Sequence, residues 1–265
     1  MLSYQHMYHA GNLADVHKHG LLSWILAYLT AKDKPLCYIE THAGRGLYDL
    51  DDHAALKTGE AAQGIDRVAN FFPPAHPYSL VLRAQRDISG PRAYPGSPLI
   101  ATQLLRPGDT LHLAELHPGE FAALEYATSA TKARCYHRDG FELAHSLVPP
   151  TPRRGMIMID PSYEQKSDYA EIPGHISRIT RAWNVGLVVL WYPVLTSGAQ
   201  AGMVRTLKNN RPEAFCHEVS FPPARPGHGM VGSGLFVINP PWGLADEAAR
   251  LSACFAKLQN PREKD

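Results

Sequence analysis

From residue 36 onward this chain repeatedly alternates short apolar runs with longer amphipathic stretches, and that rhythm constrains the fold more than any other feature. Residues 36–41, 110–116, 134–137, 155–160 and 185–192 read as strands. Residues 99–105, 120–130, 141–147, 167–183 and 198–209 read as helices. A helix between successive strands rules out hairpins there, so the strands must run parallel through right-handed crossovers. Two late strands, 215–221 and 234–239, flank the loop from Pro222 to Gly232, and a helix over 245–258 closes the chain. Another helix, 13–31, precedes the first strand. The expected class is α/β with a mostly parallel sheet.

Residues 49–94 break the rhythm. They are more polar and are punctuated by Pro73, Pro74, Pro77 and Gly90, which reads as a small helical subdomain inserted into one domain spanning 1–265. The apolar fraction is 45% and the charged fraction 19%, as in a globular chain. A net charge of +1 gives no overall attraction to nucleic acid, so such binding must rest on local patches. Candidates are Lys132, Arg134, His137 and Arg138, then Arg153 and Arg154, and a helical face with Arg205, Lys208 and Arg211. Cys37, Cys135, Cys216 and Cys254 form no CxxC pair, which predicts reduced thiols in a cytosol. The first 20 residues lack a signal-peptide pattern and no apolar run reaches membrane-span length, so a cytoplasmic location without membrane contact is expected. His6, His9, His17 and His19 lack an acid or thiol at ligand spacing, and no metal site is expected.

In a parallel sheet, ligands bind beyond the carboxyl ends of the strands. The first strand ends in Glu40-Thr-His-Ala-Gly-Arg-Gly46, whose glycines allow close backbone approach. Glu115 follows the second strand, where a carboxylate can accept from both hydroxyls of a ribose. Asp139-Gly140 follows the third; the aspartate can accept from an adenine amino group and the glycine leaves room for the ring. Ser97-Pro98 reads as an N-cap followed by proline at the first helical position. The fourth strand runs into Asp160-Pro161-Ser162-Tyr163, the most specific of these motifs.

That motif suits methylation of an exocyclic amino group. The adenine amino nitrogen is a poor nucleophile because its lone pair is delocalised into the ring. The Asp160 carboxylate and the Pro161 carbonyl, accepting its two hydrogens, would favour a pyramidal nitrogen aimed at a methyl donor; proline fixes φ and so preorganises that carbonyl. Tyr163 can stack on a base taken out of its helix.

Over nearly its full length the chain resembles the bacterial 23S ribosomal RNA adenine-N6 methyltransferase family. The resemblance rests on Met1-Leu-Ser-Tyr4, His9-Ala-Gly-Asn12, Ala14-Asp15, Lys18-His19, Thr41-His-Ala-Gly44, Tyr94-Pro-Gly-Ser-Pro98, Glu115-Leu-His-Pro118, Asp139-Gly140, Ile159-Asp-Pro161, Leu190-Trp-Tyr-Pro193 and Asn239-Pro-Pro-Trp242. It implies a Rossmann-like fold dependent on S-adenosylmethionine, with a helical insert. It implies cofactor contacts at His19, His42, Ser97, Glu115, Asp139, Gly140 and Asp160, with Lys18 beside the cofactor. Tyr4, in an N-terminal lid over residues 1–20 with Gly11 as its hinge, would face the substrate, and Asp160 would be the catalytic acceptor. The implied partner is 23S ribosomal RNA before full subunit assembly, met by a monomer. Ser162 stands where the family usually carries a second proline; the working carbonyl belongs to Pro161, so activity is expected to survive.

Two other readings stay open: a DNA adenine methyltransferase, disfavoured because no duplex-reading domain is evident, and a non-catalytic nucleic-acid-binding or uptake protein, disfavoured by the complete set of strand-end residues. Asn239-Pro-Pro-Trp242 imitates the catalytic motif and has both prolines. Its strand follows another with no helix between, which predicts an antiparallel edge strand whose Pro-Pro shapes the wall of the base pocket.

Overall fold

A computed structural model of the chain describes residues 6–259. Tyr4 and the outer part of the predicted lid lie outside the described residues. A single 3-10 turn (His6–Tyr8) leads to helix α1 (Leu13–Thr30), strand β1 (Cys37–Glu40) and strand β2 (Leu47–Asp49). Helices α2 (His53–Thr58), α3 (Glu60–Gln63), α4 (Ile65–Val68) and α5 (Pro77–Ser89) then lead to β3 (Ala93–Pro95). The alternating part follows as α6 (Ser97–Leu104), β4 (Thr110–Ala114), α7 (Pro118–Thr128), β5 (Arg134–Tyr136), α8 (Gly140–Leu147) and β6 (Gly155–Ile159). It continues with α9 (Asp168–Ala182), β7 (Leu187–Leu195), α10 (Ala201–Asn210), β8 (Phe215–Ser220), β9 (Met230–Ile238) and α11 (Leu244–Gln259).

Seven strands form the main sheet in the order β5-β4-β1-β6-β7-β9-β8. The pairs from β5 through β7 are parallel, and β9 is antiparallel to both its neighbours. The chain runs outward from β1 to β4 and β5, then returns to β6 on the other side of β1. A crevice therefore opens above the carboxyl ends of β1 and β6, at the switch point of a Rossmann-like sheet. β9 is antiparallel as expected, but it is an inner strand; the edge is β8.

That reversal places Asn239 at the opposite end of the sheet from Glu40 and Asp160. Ile238 is in register with Val188 at the start of β7, and the Asn239 amide donates to the carbonyls of Asn184 (3.0 Å) and Gly186 (2.8 Å). The motif that imitates the catalytic one anchors the loop before β7. It does not form the wall of a base pocket, and Trp242 is exposed.

Side chains alternate across the pleat, so the sheet feeds two cores. Tyr38, Met156, Met158, Val189, Leu235 and Val237 pack with α1, α5, α6 and α11. Ile39, Ile157, Ile159, Val188, Leu190 and Phe236 pack with α9 and α10 on the other face. Helix α1 is unusual because every residue from Leu13 to Ser23 is buried. Asp15, His17, Lys18 and His19 are thereby carried inside, where an unpaired polar group costs about 1–3 kcal/mol. Each has found a partner.

The helices after β2 are bracketed by an antiparallel β2–β3 ribbon, with Tyr48 opposite Tyr94. Strands of three residues, one of them ending in Pro95, are too short to leave a readable alternation. Gly11 is pinned to this region, its carbonyl accepting from the Ile65 N–H and its own N–H donating to Asp15 (2.9 Å), so it is a clamped turn and not a free hinge.

Several predicted phosphate-tracking residues have structural duties instead. Arg154 donates to the carbonyls of Leu29 and Lys34 and, with Arg106, closes the carboxyl end of α1. Lys132 donates to the Pro107 carbonyl (3.2 Å). Arg211 follows α10 as its C-cap and donates to Thr180 of α9. Arg154 and Lys132 lie at the amino ends of the strands, away from the crevice.

Candidate active site

The reaction end of the crevice is organised by α1. Lys18 Nζ lies 2.6 Å from Asp160 Oδ2 and 3.1 Å from Asp15 Oδ1. Asp15 Oδ2 lies 2.9 Å from His6 Nε2. Burial works against the Lys18 charge, but the Asp160 and Asp15 carboxylates outweigh it and hold the ammonium well above the usual lysine range. His19 is the opposite case. Burial pushes it down to about 3, and its neutral ring meets the Tyr94 hydroxyl at 2.9 Å. The four N-terminal histidines diverge, to Asp15, Glu60, His217 and Tyr94.

At the end of β1, Glu40 is fully buried; it accepts from the Ser97 hydroxyl and from Tyr38 Oη at 2.9 Å. Ser97 is the first residue of α6 and Gly96 its N-cap, so the hydroxyl expected to cap the helix is committed to Glu40 instead. Burial pushes Glu40 up to about 8 from its ordinary 4.5, which makes it a neutral acid near pH 7. The folded chain thus holds a proton that the unfolded chain releases between those values. Stability must fall as pH rises through that window. Glu40→Gln, which cannot titrate, should gain on the wild type between about pH 6 and about pH 9 by on the order of a few kcal/mol. Chemical denaturation at several pH values measures this, and a difference independent of pH would overturn it.

Beyond Glu40 the chain turns at Gly44 and Gly46, both in the left-handed region (φ +64° and +78°). The Gly44 N–H donates to one Glu115 oxygen (2.8 Å) and the His117 N–H to the other (2.7 Å), which fixes the carboxylate at the crevice. His42 is pushed down to about 4 by burial, and its ring meets the edge of Phe141. Asp139 caps α8 by accepting from the Glu142 N–H at 2.8 Å. Gly140 is required by packing: a Cβ there would sit 1.8 Å from the Thr41 carbonyl oxygen. Room for a ring is not the governing reason.

After β6, Tyr163 turns the loop with φ 56°. Its hydroxyl donates to the Trp191 carbonyl (2.7 Å), and Tyr169 stacks on its ring at 4.7 Å. Trp191 completes an aromatic corner 6.0 Å from Tyr163, with Lys18 Nζ 5.4 Å from its ring centre.

One cleft of about 760 Å³ is lined by Lys18, His19, His42, Ser97, Glu115, Asp139, Gly140, Asp160, Pro161 and Tyr163. It thus brings together every predicted site residue within the described range. Asp15, Trp191 and His228 also line it, and residue reasoning had not singled them out. Asp15 and Trp191 fall within the quoted segments Ala14-Asp15 and Leu190-Trp-Tyr-Pro193, so a signal was present without an assigned role; His228 carried none.

Residues 33–262 match the family model described as "Ribosomal RNA large subunit methyltransferase D, RlmJ". The chain is 39% identical to "Ribosomal RNA large subunit methyltransferase J" of Escherichia coli, over 93% of this chain and 90% of that one. It is 35% identical to the Haemophilus influenzae protein of the same name, over 98% and 95%. A crystal structure of a Legionella pneumophila protein superposes with a TM-score of 0.83 at 37% identity, over 96% of this chain and 95% of that one. With sequence and fold agreeing from end to end, this chain belongs to the ribosomal RNA large subunit methyltransferase J family.

Proposed function

We propose that this chain transfers the methyl group of S-adenosylmethionine to N6 of one adenine in 23S ribosomal RNA, acting as a monomer before the large subunit is fully assembled. The observation that carries this reading is Asp160 at the carboxyl end of β6, followed by Pro161 and faced by Lys18 at 2.6 Å.

The cleft fits such a cofactor. Its volume is within the range of nucleotide-sized ligand sites. Its carboxylates, Asp15, Glu115, Asp139 and Asp160, face a ligand that is cationic at sulfur and at its ammonium, while burial keeps His19 and His42 neutral. Glu115 would hold the ribose and Asp139 the adenine amino group. When bound, S-adenosylmethionine supplies an electrophilic methyl on a sulfonium that leaves as a neutral thioether.

The chain's residues do the rest. Lys18 occupies Asp160 Oδ2, which leaves Oδ1 to accept one N6 hydrogen while the Pro161 carbonyl accepts the other. Both acceptors act where positive charge develops on nitrogen, as preorganised dipoles do at any reacting centre, and one N6 hydrogen then leaves as a proton to solvent, giving the neutral N6-methyl product. Tyr163, fixed by Trp191, offers its ring to the extruded base. The helices between β2 and β3 would contribute the wider RNA surface; residues 13–20 of the expected lid are buried in α1 and cannot serve as a cover.

The test is transfer of tritiated methyl to total RNA and DNA from a strain lacking the gene, followed by identification of the labelled nucleoside. N6-methyladenosine in 23S ribosomal RNA is expected, with deproteinised RNA accepted at least as well as assembled large subunits. Label only in DNA, or on cytosine, would overturn the assignment.

A further inference from the structure

Behind the reaction end runs a line of polar groups, buried at His17 and Ser233, of which only Trp191 reaches the cleft. Trp191 Nε1 donates to Ser233 Oγ on β9 at 2.9 Å. Ser233 Oγ lies 2.8 Å from His17 Nδ1 on α1. His17 Nε2 lies 2.9 Å from His217 Nδ1 on β8, and His217 Nε2 lies 2.7 Å from Ser252 Oγ on α11. Ser233 and His17 are wholly inaccessible. Five elements contribute one group each, and none but Trp191 lines the cleft.

The chemistry of the groups gives the line a direction. An indole N–H can only donate. Ser233 Oγ therefore accepts at one side, and its own hydrogen is free for His17 Nδ1. With that hydrogen given to His17 Nδ1, His17 carries its own on Nε2 for His217 Nδ1, and His217 Nε2 donates in turn to Ser252. Every link is satisfied with both imidazoles neutral, the state that burial favours by pushing both rings down. A satisfied network with a buried centre rigidifies the groups it joins.

What it rigidifies is the indole. The Trp191 ring has Lys18 on it, and Lys18 is the partner of Asp160. The Trp191 carbonyl holds the Tyr163 hydroxyl. Adjacent residues of α1 thus grip the same tryptophan from two sides, His17 through Ser233 and Lys18 at the ring. Rotation of the indole would displace the ammonium that orients the catalytic carboxylate.

We propose that Ser233, His17, His217 and Ser252 form a positioning network that sets the plane of the Trp191 indole, so that Ser233 and His17 act on methyl transfer through Trp191 without touching cofactor or substrate. This rests on the reading of the cleft as a methyltransferase centre.

Single-turnover methylation of 23S ribosomal RNA by the full chain tests it, in a cycle of Ser233→Ala, Trp191→Phe and the double variant. Phenylalanine keeps a ring but lacks the N–H. Ser233→Ala should slow transfer about tenfold, as small misplacements at a reacting centre do, with S-adenosylmethionine affinity by calorimetry unchanged. In the Trp191→Phe background, Ser233→Ala should add no further loss. A Ser233→Ala rate equal to wild type, or a loss repeated in full in the double variant, overturns the network. If Ser233→Ala does not fold, His17→Asn against His17→Leu decides: the asparagine amide can replace Nδ1 toward Ser233 and should retain the rate that leucine loses, and equal rates overturn the proposal. Absence of transfer by the wild type would instead overturn the reading of the cleft.

Discussion

Asp160→Ala is expected to reduce methyl transfer by about 10³-fold or more, the scale of losing one preorganised group at a developing charge. Two effects add. The substitution removes an acceptor for the amino hydrogens, and it leaves the buried Lys18 ammonium with Asp15 alone. Asn239→Ala is the matched control, since its motif keeps both prolines and an aromatic. Its cost should fall on stability: two hydrogen bonds to the loop before β7 are lost, and alanine must adopt φ 56°, which asparagine tolerates better. About 2 kcal/mol is expected from these, with a near-normal rate on saturating RNA. An inactive Asn239→Ala beside an active Asp160→Ala would reverse the assignment of the motif.

Gly140→Ala should be the most damaging of the conservative changes to the fold. The added methyl would meet the Thr41 carbonyl oxygen at 1.8 Å and its carbon at 2.5 Å, both backbone atoms that no rotamer change can move. Either the end of β1 or the start of α8 must shift, at a cost of about 4 kcal/mol or more. Thr41 and Gly140 both border the cleft, so cofactor affinity should fall with stability. Gly174→Ala in α9 is the contrast. A methyl there meets nothing within 4 Å, and the helix should gain up to about 1 kcal/mol. Urea unfolding of the two variants measures both; a Gly140→Ala as stable as wild type would show that the strand end yields easily.

The parallel half of the fold was legible because its strands are apolar and separated by helices of ordinary length, and the site followed because such sheets bind ligands at one rim. The rest was hidden for physical reasons. Nothing in the composition of α1 announces burial on every side, since its Asp15, His17, Lys18 and His19 look like a solvated face until their partners up to 216 residues away are known. The same distance hid the role of Trp191. Asn239-Pro-Pro-Trp242 was rightly set on an antiparallel strand, but that same reversal carries it to the rim of the sheet opposite the cleft, where it cannot wall a base pocket. Arg154 and Lys132 misled because a basic residue near a strand looks the same whether it meets a phosphate or closes a helix.

The position of α1 also sets when the protein can exist. It precedes every strand of the sheet, and besides α5 and α6 it packs against β9 and α11, the last of the described elements in sequence. Until the final hairpin emerges, a growing chain can cover α1 with α5 and α6, but the side that carries His17 has neither Ser233 nor His217 to meet. The last part of its burial therefore waits for β9 and α11, and contacts so distant in sequence are slow to close. A ribosome stalled before β9 would hold a nascent chain with the whole Asp160 motif already made and no indole fixed beside it, a product in need of chaperoning and without activity.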